Sequence, residues 1–277
     1  RHRSPSTENW VGVDKFIFWN SFLKKTFDPK AAQEKVLKHI LEKNKNTIFG
    51  KEHHFSSINN YSEYQKAIPI QNYEDLEPYI ERQIKTKNPE LTSEQPILYA
   101  RTSGTTSKPK LIPILRSTVN AYKWGQRIFL YAQYAAFRDM FSGYLLAIAG
   151  PAVEGHLDDG VPYGSMSGLV YKEMPWFTKR KFILPPDVFS IEDYDSKYAV
   201  IAAFGLAKKN VTAMGSANPS TFIKLLDVIN TKWQDIIYIV RTGDFSKVQD
   251  LKESERDSIS KYFYKDPERA DELQQIF

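Results

Sequence analysis

The chain has 277 residues, of which 42% are hydrophobic and 14% aromatic, so it can bury a sizeable core as one large domain or two small ones. It contains no cysteine, which excludes disulfides, thiolate catalysis and cysteine-ligated zinc, and no apolar run is long enough to cross a bilayer. Its 38 basic residues are interspersed with 33 acidic ones, so the net charge of +5 does not by itself indicate nucleic-acid binding. We expect a cytoplasmic protein that binds neither nucleic acid nor a membrane.

The first 95 residues are predicted to be mainly helical. Asp28 and Pro29 are typical of a helix start, the first as N-cap and the second as first helical residue. The apolar residues that follow recur at helical spacing and predict one buried face: Val36, Leu37, Ile40 and Leu41. A shorter helix is predicted over 62–67, and Asn72 with Asp75 resembles a capping box at the start of a third.

The most informative stretch runs over 99–113, and within it 101–110 is predicted to be a tight loop between two strands. Residues 96–100 and 111–115 are apolar and predict the strands. The loop is rich in small hydroxyl residues and lysines, and its candidate phosphate-binding residues are Thr102, Ser103, Gly104, Thr105, Thr106, Lys108 and Lys110. Backbone N–H groups converge in such a segment and bind anions, and the lysines suit a polyphosphate. A solvated turn is the alternative, and we favour phosphate binding.

Beyond the loop, strands and helices alternate, which predicts an α/β fold with a largely parallel sheet and flanking helices. Ser117 is expected to cap a long aromatic helix. Further strands are predicted over 143–150, 181–184 and 211–217, and further helices over 191–209, 219–232 and 266–277. The segment 162–168 is predicted to be a flexible loop, either a substrate lid or a connector. A boundary near residue 95 would divide one domain into a helical N-terminal lobe, 1–95, and an α/β part, 96–277.

Several motifs together resemble a known family. The loop is similar to the phosphate loop of adenylate-forming enzymes, Ser/Thr-Ser-Gly-Thr-Thr/Ser-Gly-x-Pro-Lys, although Ser107 stands where that pattern has its second glycine. With the segments 68–82, 160–168 and 218–220, the sequence resembles the acyl acid amido synthetases of the auxin-responsive Gretchen Hagen family, a branch of the adenylate-forming enzymes. Its pattern is more similar to the bacterial members than to the plant hormone enzymes.

The resemblance implies an ATP-dependent ligase with two half-reactions. ATP with Mg²⁺ and a small carboxylic acid would give an acyl-adenylate and pyrophosphate, and an amine, in the family usually an amino acid, would then take the acyl group as an amide. The loop would hold the β- and γ-phosphates. The implied acyl and nucleotide pocket comprises Met214, Ala217, Asn218 and Pro219. An acyl-CoA ligase and a non-catalytic ligand-binding domain of the same fold remain alternatives.

The segment 241–244, Arg-Thr-Gly-Asp, is similar to the ribose-binding motif of adenylate-forming enzymes. In those enzymes an aromatic-x-x-Thr/Ser-Glu motif, whose glutamate helps to hold Mg²⁺, comes before it, and no such motif precedes Arg241. We therefore interpret Asp244 as part of a surface turn. The catalytic residues are expected beyond Phe277, no metal ligand is assigned within the chain, and the chain alone is expected to be inactive.

Overall fold

The computed structural model of the protein describes residues 14–102, 109–174 and 176–277. A π-helical turn, Lys15–Trp19, leads into the first α-helix, and short 3-10 turns lie at Phe55–Ser57, Arg138–Phe141 and Pro186–Ser190. The α-helices are α1 (Asn20–Thr26), α2 (Pro29–Asn44), α3 (Ile48–Glu52), α4 (Tyr61–Ala67), α5 (Tyr73–Thr86), α6 (Arg116–Ala136), α7 (Met166–Lys172), α8 (Trp176–Lys179), α9 (Tyr194–Leu206), α10 (Ser220–Thr242), α11 (Glu253–Ser260) and α12 (Pro267–Ile276).

The strands of the described residues form two sheets. They are β1 (Leu98–Arg101), β2 (Leu111–Ile114), β3 (Tyr144–Ile148), β4 (Gly155–His156), β5 (Pro162–Gly164) and β6 (Val211–Ser216). One sheet has the order β2-β1-β5-β4 and the other pairs β3 with β6. The second sheet is parallel, whereas the first is mixed: only β1 and β5 run parallel in it. Short connections between β1 and β2 and between β4 and β5 allow only antiparallel pairing. The α/β class is confirmed.

The chain divides into two compact units. The first contains the described residues up to Ala132 together with Val153–Ser165, and the second contains Gln133–Ala152 with Met166–Phe277. The first unit therefore combines the helices of the predicted N-terminal lobe with the four-stranded sheet. The second unit contains the parallel pair β3 and β6 and the helices from α7 onward.

The predicted starts of the N-terminal helices are confirmed. The Asp28 carboxylate accepts a hydrogen bond from the N–H of Ala31 at 3.0 Å, which satisfies one of the free donors at the start of α2. At the start of α5, the Asp75 carboxylate accepts a hydrogen bond from the N–H of Asn72 at 2.8 Å. These caps are local in sequence, and for that reason the sequence alone reveals them.

The core of the first unit is smaller than the apolar pattern predicts. Leu41 is buried in a cluster with Phe49, Phe55 and Ile58, and Leu37 packs against it. By contrast, 59% of Val36 and 49% of Ile40 is exposed, so the prediction of one buried face with four members is wrong for these two. Residues 36 and 40 form the neighbouring row on the helix surface, and the core covers only the row of residues 37 and 41.

The core of the second unit is built around α9, which is apolar on all sides and buried over most of its length. Helix α10 packs against it and is longer than the predicted helix over 219–232. Lys232 has non-helical backbone angles, φ −121° and ψ 18°, within α10. The helix therefore bends where the sequence predicted its end.

Three other predictions are corrected. Ser117 does not cap α6, because α6 begins at Arg116 and the N–H of Ser117 donates to the Glu94 carboxylate at 3.0 Å. The predicted strand over 181–184 is reduced to a single bridge between Leu145 and Phe182. The predicted flexible loop over 162–168 instead forms β5 and the first residues of α7.

A glycine explains why 162–168 is ordered despite its loop-like composition. A Cβ atom on Gly168 would lie 2.4 Å from the carbonyl oxygen of Gly150 and 2.4 Å from the backbone nitrogen of Ala152. These are backbone atoms that cannot move aside easily. The glycine therefore lets α7 pack directly on the segment that follows β3.

Gly168→Ala is expected to lower the free energy of unfolding by about 1–3 kcal/mol, because the added methyl group overpacks a site walled by backbone. Gly125→Ala is the matched control: nothing lies within 4 Å of a Cβ there, in the middle of α6. That change is expected to stabilise by about 0.5–1 kcal/mol. Urea denaturation measures both, and equal effects of the two substitutions would contradict the packing argument.

Candidate functional site

The candidate phosphate loop lies at the tip of the hairpin formed by β1 and β2. The antiparallel register pairs Arg101 with Leu111, the last residue of β1 and the first of β2. Five of the predicted site residues lie outside the described residues: Ser103, Gly104, Thr105, Thr106 and Lys108. Thr102 and Lys110 are described, and they show how the loop begins and ends.

Two hydrogen bonds close the base of the loop. The N–H of Thr102 donates to the carbonyl oxygen of Lys110 at 3.1 Å, and the N–H of Lys110 donates to the Thr102 hydroxyl at 3.3 Å. The strand pairing therefore extends one residue pair beyond Arg101 and Leu111. Thr102 and Lys110 are therefore fixed next to one another, as the two ends of a loop that surrounds a bound anion require.

The Lys110 ammonium lies beside the first turn of α5. Its Nζ is 3.2 Å from the Glu74 carboxylate and 5.1 Å from the centre of the Tyr73 ring. A hydrogen bond from the backbone N–H of Glu74 itself, and then the hydrogen bond from Lys110, lower the pKa of the Glu74 carboxyl. Both partners are partly exposed, so the ion pair is weak, and a phosphate near the loop can compete with Glu74 for the ammonium.

Tyr73 also fixes the start of β2. Its hydroxyl accepts a hydrogen bond from the N–H of Leu111 at 2.9 Å. Since Leu111 directly follows Lys110, this contact ties the end of the loop to the first turn of α5. The capping residues Asn72 and Asp75 fix the start of α5.

A second cation lies at the other end of the loop. Arg101 Nη1 is 3.6 Å from the Glu154 carboxylate, and the guanidinium lies 5.6 Å from the centre of the Tyr163 ring on β5. Sequence reasoning missed Arg101, Tyr73 and Glu74. Arg101 stands directly before the Thr-Ser-Gly motif and was therefore detectable, whereas the other two are brought to the loop only by the fold.

The opposite end of the hairpin is fastened by Glu94. Its carboxylate accepts hydrogen bonds from the Lys43 ammonium at 2.5 Å and from the Ser117 hydroxyl and N–H at 2.7 and 3.0 Å. Glu94 precedes β1, Ser117 follows β2, and Lys43 belongs to α2. The hydrogen bonds from Lys43, and then those from Ser117, lower the pKa of the Glu94 carboxyl to about 2.

The lowered pKa of Glu94 predicts that the stability of the fold falls in acid. Because the pKa falls on folding, the contribution of Glu94 is fully present above the unfolded value of 4.5 and is lost as the pH falls from 4.5 towards about 2. Glu94→Gln is expected to lower the free energy of unfolding at pH 7 by about 1–2 kcal/mol, and to flatten its pH dependence in that window.

Urea denaturation across the pH range measures this effect. Glu42→Gln is the matched control, since Glu42 pairs with Lys45, three residues later in the chain, on the exposed surface. An unchanged pH profile for Glu94→Gln would show that the hydrogen bonds of Glu94 with Lys43 and Ser117 do not stabilise the hairpin.

The predicted pocket residues Met214, Ala217, Asn218 and Pro219 lie together at the carboxyl end of β6, in the second unit, and all four are exposed. β6 runs parallel to β3, with Ser216 opposite Ile148, so both strands end at one edge. Open α/β sheets bind ligands at such edges. The Asn218 side chain accepts a hydrogen bond from the N–H of Ser220 at 3.0 Å and helps to start α10.

Asp244 lies in an exposed turn, as the sequence predicted. It follows the left-handed Gly243, with φ 77°, which ends α10. Its carboxylate accepts hydrogen bonds from the N–H of Ser246 at 2.8 Å and from the Tyr238 hydroxyl at 3.0 Å. These local hydrogen bonds explain the position of the Asp244 side chain without a bound ligand.

The fold is shared with solved acyl acid amido synthetases. A GH3.15 acyl acid amido synthetase superposes with a TM-score of 0.77 at 21% identity, covering 92% of this chain and 46% of that one. A second structure, AtGH3.15 acyl acid amido synthetase in complex with 2,4-DB, has a TM-score of 0.78 at 19% identity, covering 99% and 47%. The fold class is therefore that of the adenylate-forming acyl acid amido synthetases.

The model of the GH3 family N-terminal domain matches residues 19–277, and the chain belongs to this family. The probable indole-3-acetic acid-amido synthetase GH3.11 of Oryza sativa subsp. japonica is 24% identical over 235 residues, covering 80% of this chain and 39% of that protein. Jasmonoyl--L-amino acid synthetase GH3.5 of the same organism is 24% identical over 265 residues, covering 92% and 45%. The chain thus spans less than half the length of these relatives.

Proposed function

We propose that a protein containing this chain activates a carboxylic acid with ATP and transfers the acyl group to an amine, most simply an amino acid. The observation that carries the proposal is the closed base of the loop, where Thr102 and Lys110 join two strands in a chain of the GH3 family. The loop would hold the β- and γ-phosphates of ATP.

Charge is the main contribution of the loop to this chemistry. When the acid attacks the α-phosphorus, negative charge accumulates on the departing pyrophosphate, and fixed positive groups next to it lower the barrier. Lys110 would exchange Glu74 for a phosphate oxygen, and Lys108 is proposed to act beside it. Arg101, at the other end of the loop, adds a third cation.

The substrate classes are proposed from the relatives. One relative is named as an indole-3-acetic acid-amido synthetase and another as a jasmonoyl-L-amino acid synthetase, and one solved structure is in complex with 2,4-DB. An acid and an amino acid are therefore the classes we propose here, with Met214, Ala217, Asn218 and Pro219 lining the acyl and nucleotide pocket. A bacterial-type member is proposed from the motif pattern of the sequence. A cytoplasmic location is proposed from the absence of cysteine.

Mg²⁺ is proposed to accompany ATP. Within 14–102, 109–174 and 176–277, no group of three or more His, Asp or Glu side chains lies close enough together to hold a metal ion. The described residues therefore offer no ready-made magnesium cage. The ion would be held mainly by the phosphates, a common arrangement for Mg²⁺.

The loop assignment predicts the effect of a double substitution. Thr105→Val with Lys110→Ala is expected to weaken ATP binding about ten- to a hundredfold, because a phosphate loses a hydroxyl donor and a charged donor. The exposed pair with Glu74 contributes little to folding, so the melting temperature should be unchanged.

Isothermal titration calorimetry with ATP measures this change. The matched control is Lys261→Ala, an exposed lysine after α11 in the second unit. Unchanged ATP affinity in the double variant, with a normal melting profile, would refute phosphate binding by the loop.

The reaction is tested by acid-dependent pyrophosphate release with a panel of acids. We expect turnover from a longer protein that contains this chain and none from the 277-residue chain alone. Amide formation with amino acids would identify the amido synthetase, consumption of coenzyme A would identify an acyl-CoA ligase, and the absence of turnover in the longer protein would leave a ligand-binding domain. Comparable turnover from the short chain would contradict the proposal that its active site is incomplete.

A further inference from the structure

The segment Lys15–Phe27 carries large apolar side chains on its outer side. We call this the Phe16 face and define it by Phe16, Ile17, Leu23, Lys24 and Phe27, all of which are exposed. Phe16 is 79% and Phe27 87% exposed, which is unusual for phenylalanine. Clustered exposed aromatic residues of this kind mark a surface that contacts something else.

The inner side of the same segment is firmly packed. The Phe18 ring lies 5.9 Å from Trp124 and the Trp19 ring 5.3 Å from Tyr131, both on α6. The Lys25 ammonium lies 4.6 Å from the centre of the Trp124 ring. The segment is therefore apolar on two sides: one packs against α6, and the other is directed to solvent.

The charge of the segment is of one sign. Between residues 15 and 27 there are three lysines, Lys15, Lys24 and Lys25, and no acidic residue. The acidic neighbours are already engaged. Asp14 is 1% exposed and its carboxylate lies 3.3 Å from Arg127, and Asp28 caps α2. Since Lys25 lies over Trp124 on the inner side, the positive charge beside the aromatic side chains of the Phe16 face comes from the exposed Lys15 and Lys24.

We propose that the Phe16 face binds the surface of an anionic lipid bilayer. Aromatic and aliphatic side chains would enter the boundary between headgroups and acyl chains, and the lysines would attract acidic headgroups. The mode is peripheral, since none of the described helices is long and apolar enough to traverse a bilayer. This inference departs from the expectation, drawn from the sequence, that the protein binds no membrane.

A second copy of the chain fits this face less well. A symmetric dimer would bury the same patch on both subunits, so the lysines of both copies would lie in one interface. Like charges at a contact are repulsive and oppose such pairing. An acidic membrane instead supplies the opposite charge over a broad surface.

The test is co-sedimentation of the chain with vesicles. One set of vesicles consists of phosphatidylcholine, and the other set consists of equal parts phosphatidylcholine and phosphatidylglycerol. We expect binding to the anionic vesicles only, weakened by added salt. Phe16→Ser with Phe27→Ser should reduce that binding more than about tenfold, because two large apolar side chains no longer enter the bilayer. Lys24→Ala should reduce it about fivefold.

Matched controls separate the face from exposed residues in general. Ile223→Ser with Leu226→Ser removes two apolar side chains exposed on α10, and Lys261→Ala removes one exposed lysine; both should bind anionic vesicles as the unchanged chain does. Circular dichroism confirms folding. No vesicle binding, equal losses in face and control variants, or a dimer that the Phe16 and Phe27 substitutions dissociate would overturn the proposal.

Discussion

The antiparallel pairing of β1 with β2 is the interaction on which the candidate site depends. It places Thr102 and Lys110 within hydrogen-bonding distance and so fixes both ends of the loop between them. A flexible loop would lose conformational entropy when it orders around a triphosphate, whereas a loop with fixed ends loses less. The contacts of Tyr73 at the start of β2 and of Glu94 at the far end of the hairpin hold this geometry from two sides.

Tyr99 is buried, whereas Arg101 and Lys110 are partly exposed, and the two environments have different roles. Tyr99, two residues before Arg101, is almost fully buried, and burial together with the charge of Asp159 raises the pKa of its hydroxyl to about 12. It therefore stays neutral and gives β1 a rigid packed base. Arg101 and Lys110 remain partly exposed, the first paired with Glu154 and the second with Glu74. Such weak surface pairs are easily exchanged for a phosphate.

The features that the sequence predicts correctly are local ones. Helix caps such as Asp28 and short apolar strands such as β3 depend on neighbouring residues. The ion pair of Lys110 with Glu74 and the hydrogen bond of Ser117 to Glu94 join residues far apart in the chain, so no local pattern reveals them. The composition of 162–168 predicted a flexible loop, and this was wrong because Gly168 is required there for close packing and not for flexibility. The Phe16 face likewise could not be predicted from the sequence, because only the fold shows which side of the segment packs against α6.

A crystal structure of the chain with bound ATP tests the central claim most directly, namely that the hairpin between β1 and β2 is a triphosphate site. The account predicts that the β- and γ-phosphates lie within the loop 103–109, and that the Lys110 ammonium leaves Glu74 for a phosphate oxygen. Phosphates bound elsewhere, or a Lys110 that keeps its contact with Glu74 while ATP is bound, would contradict it.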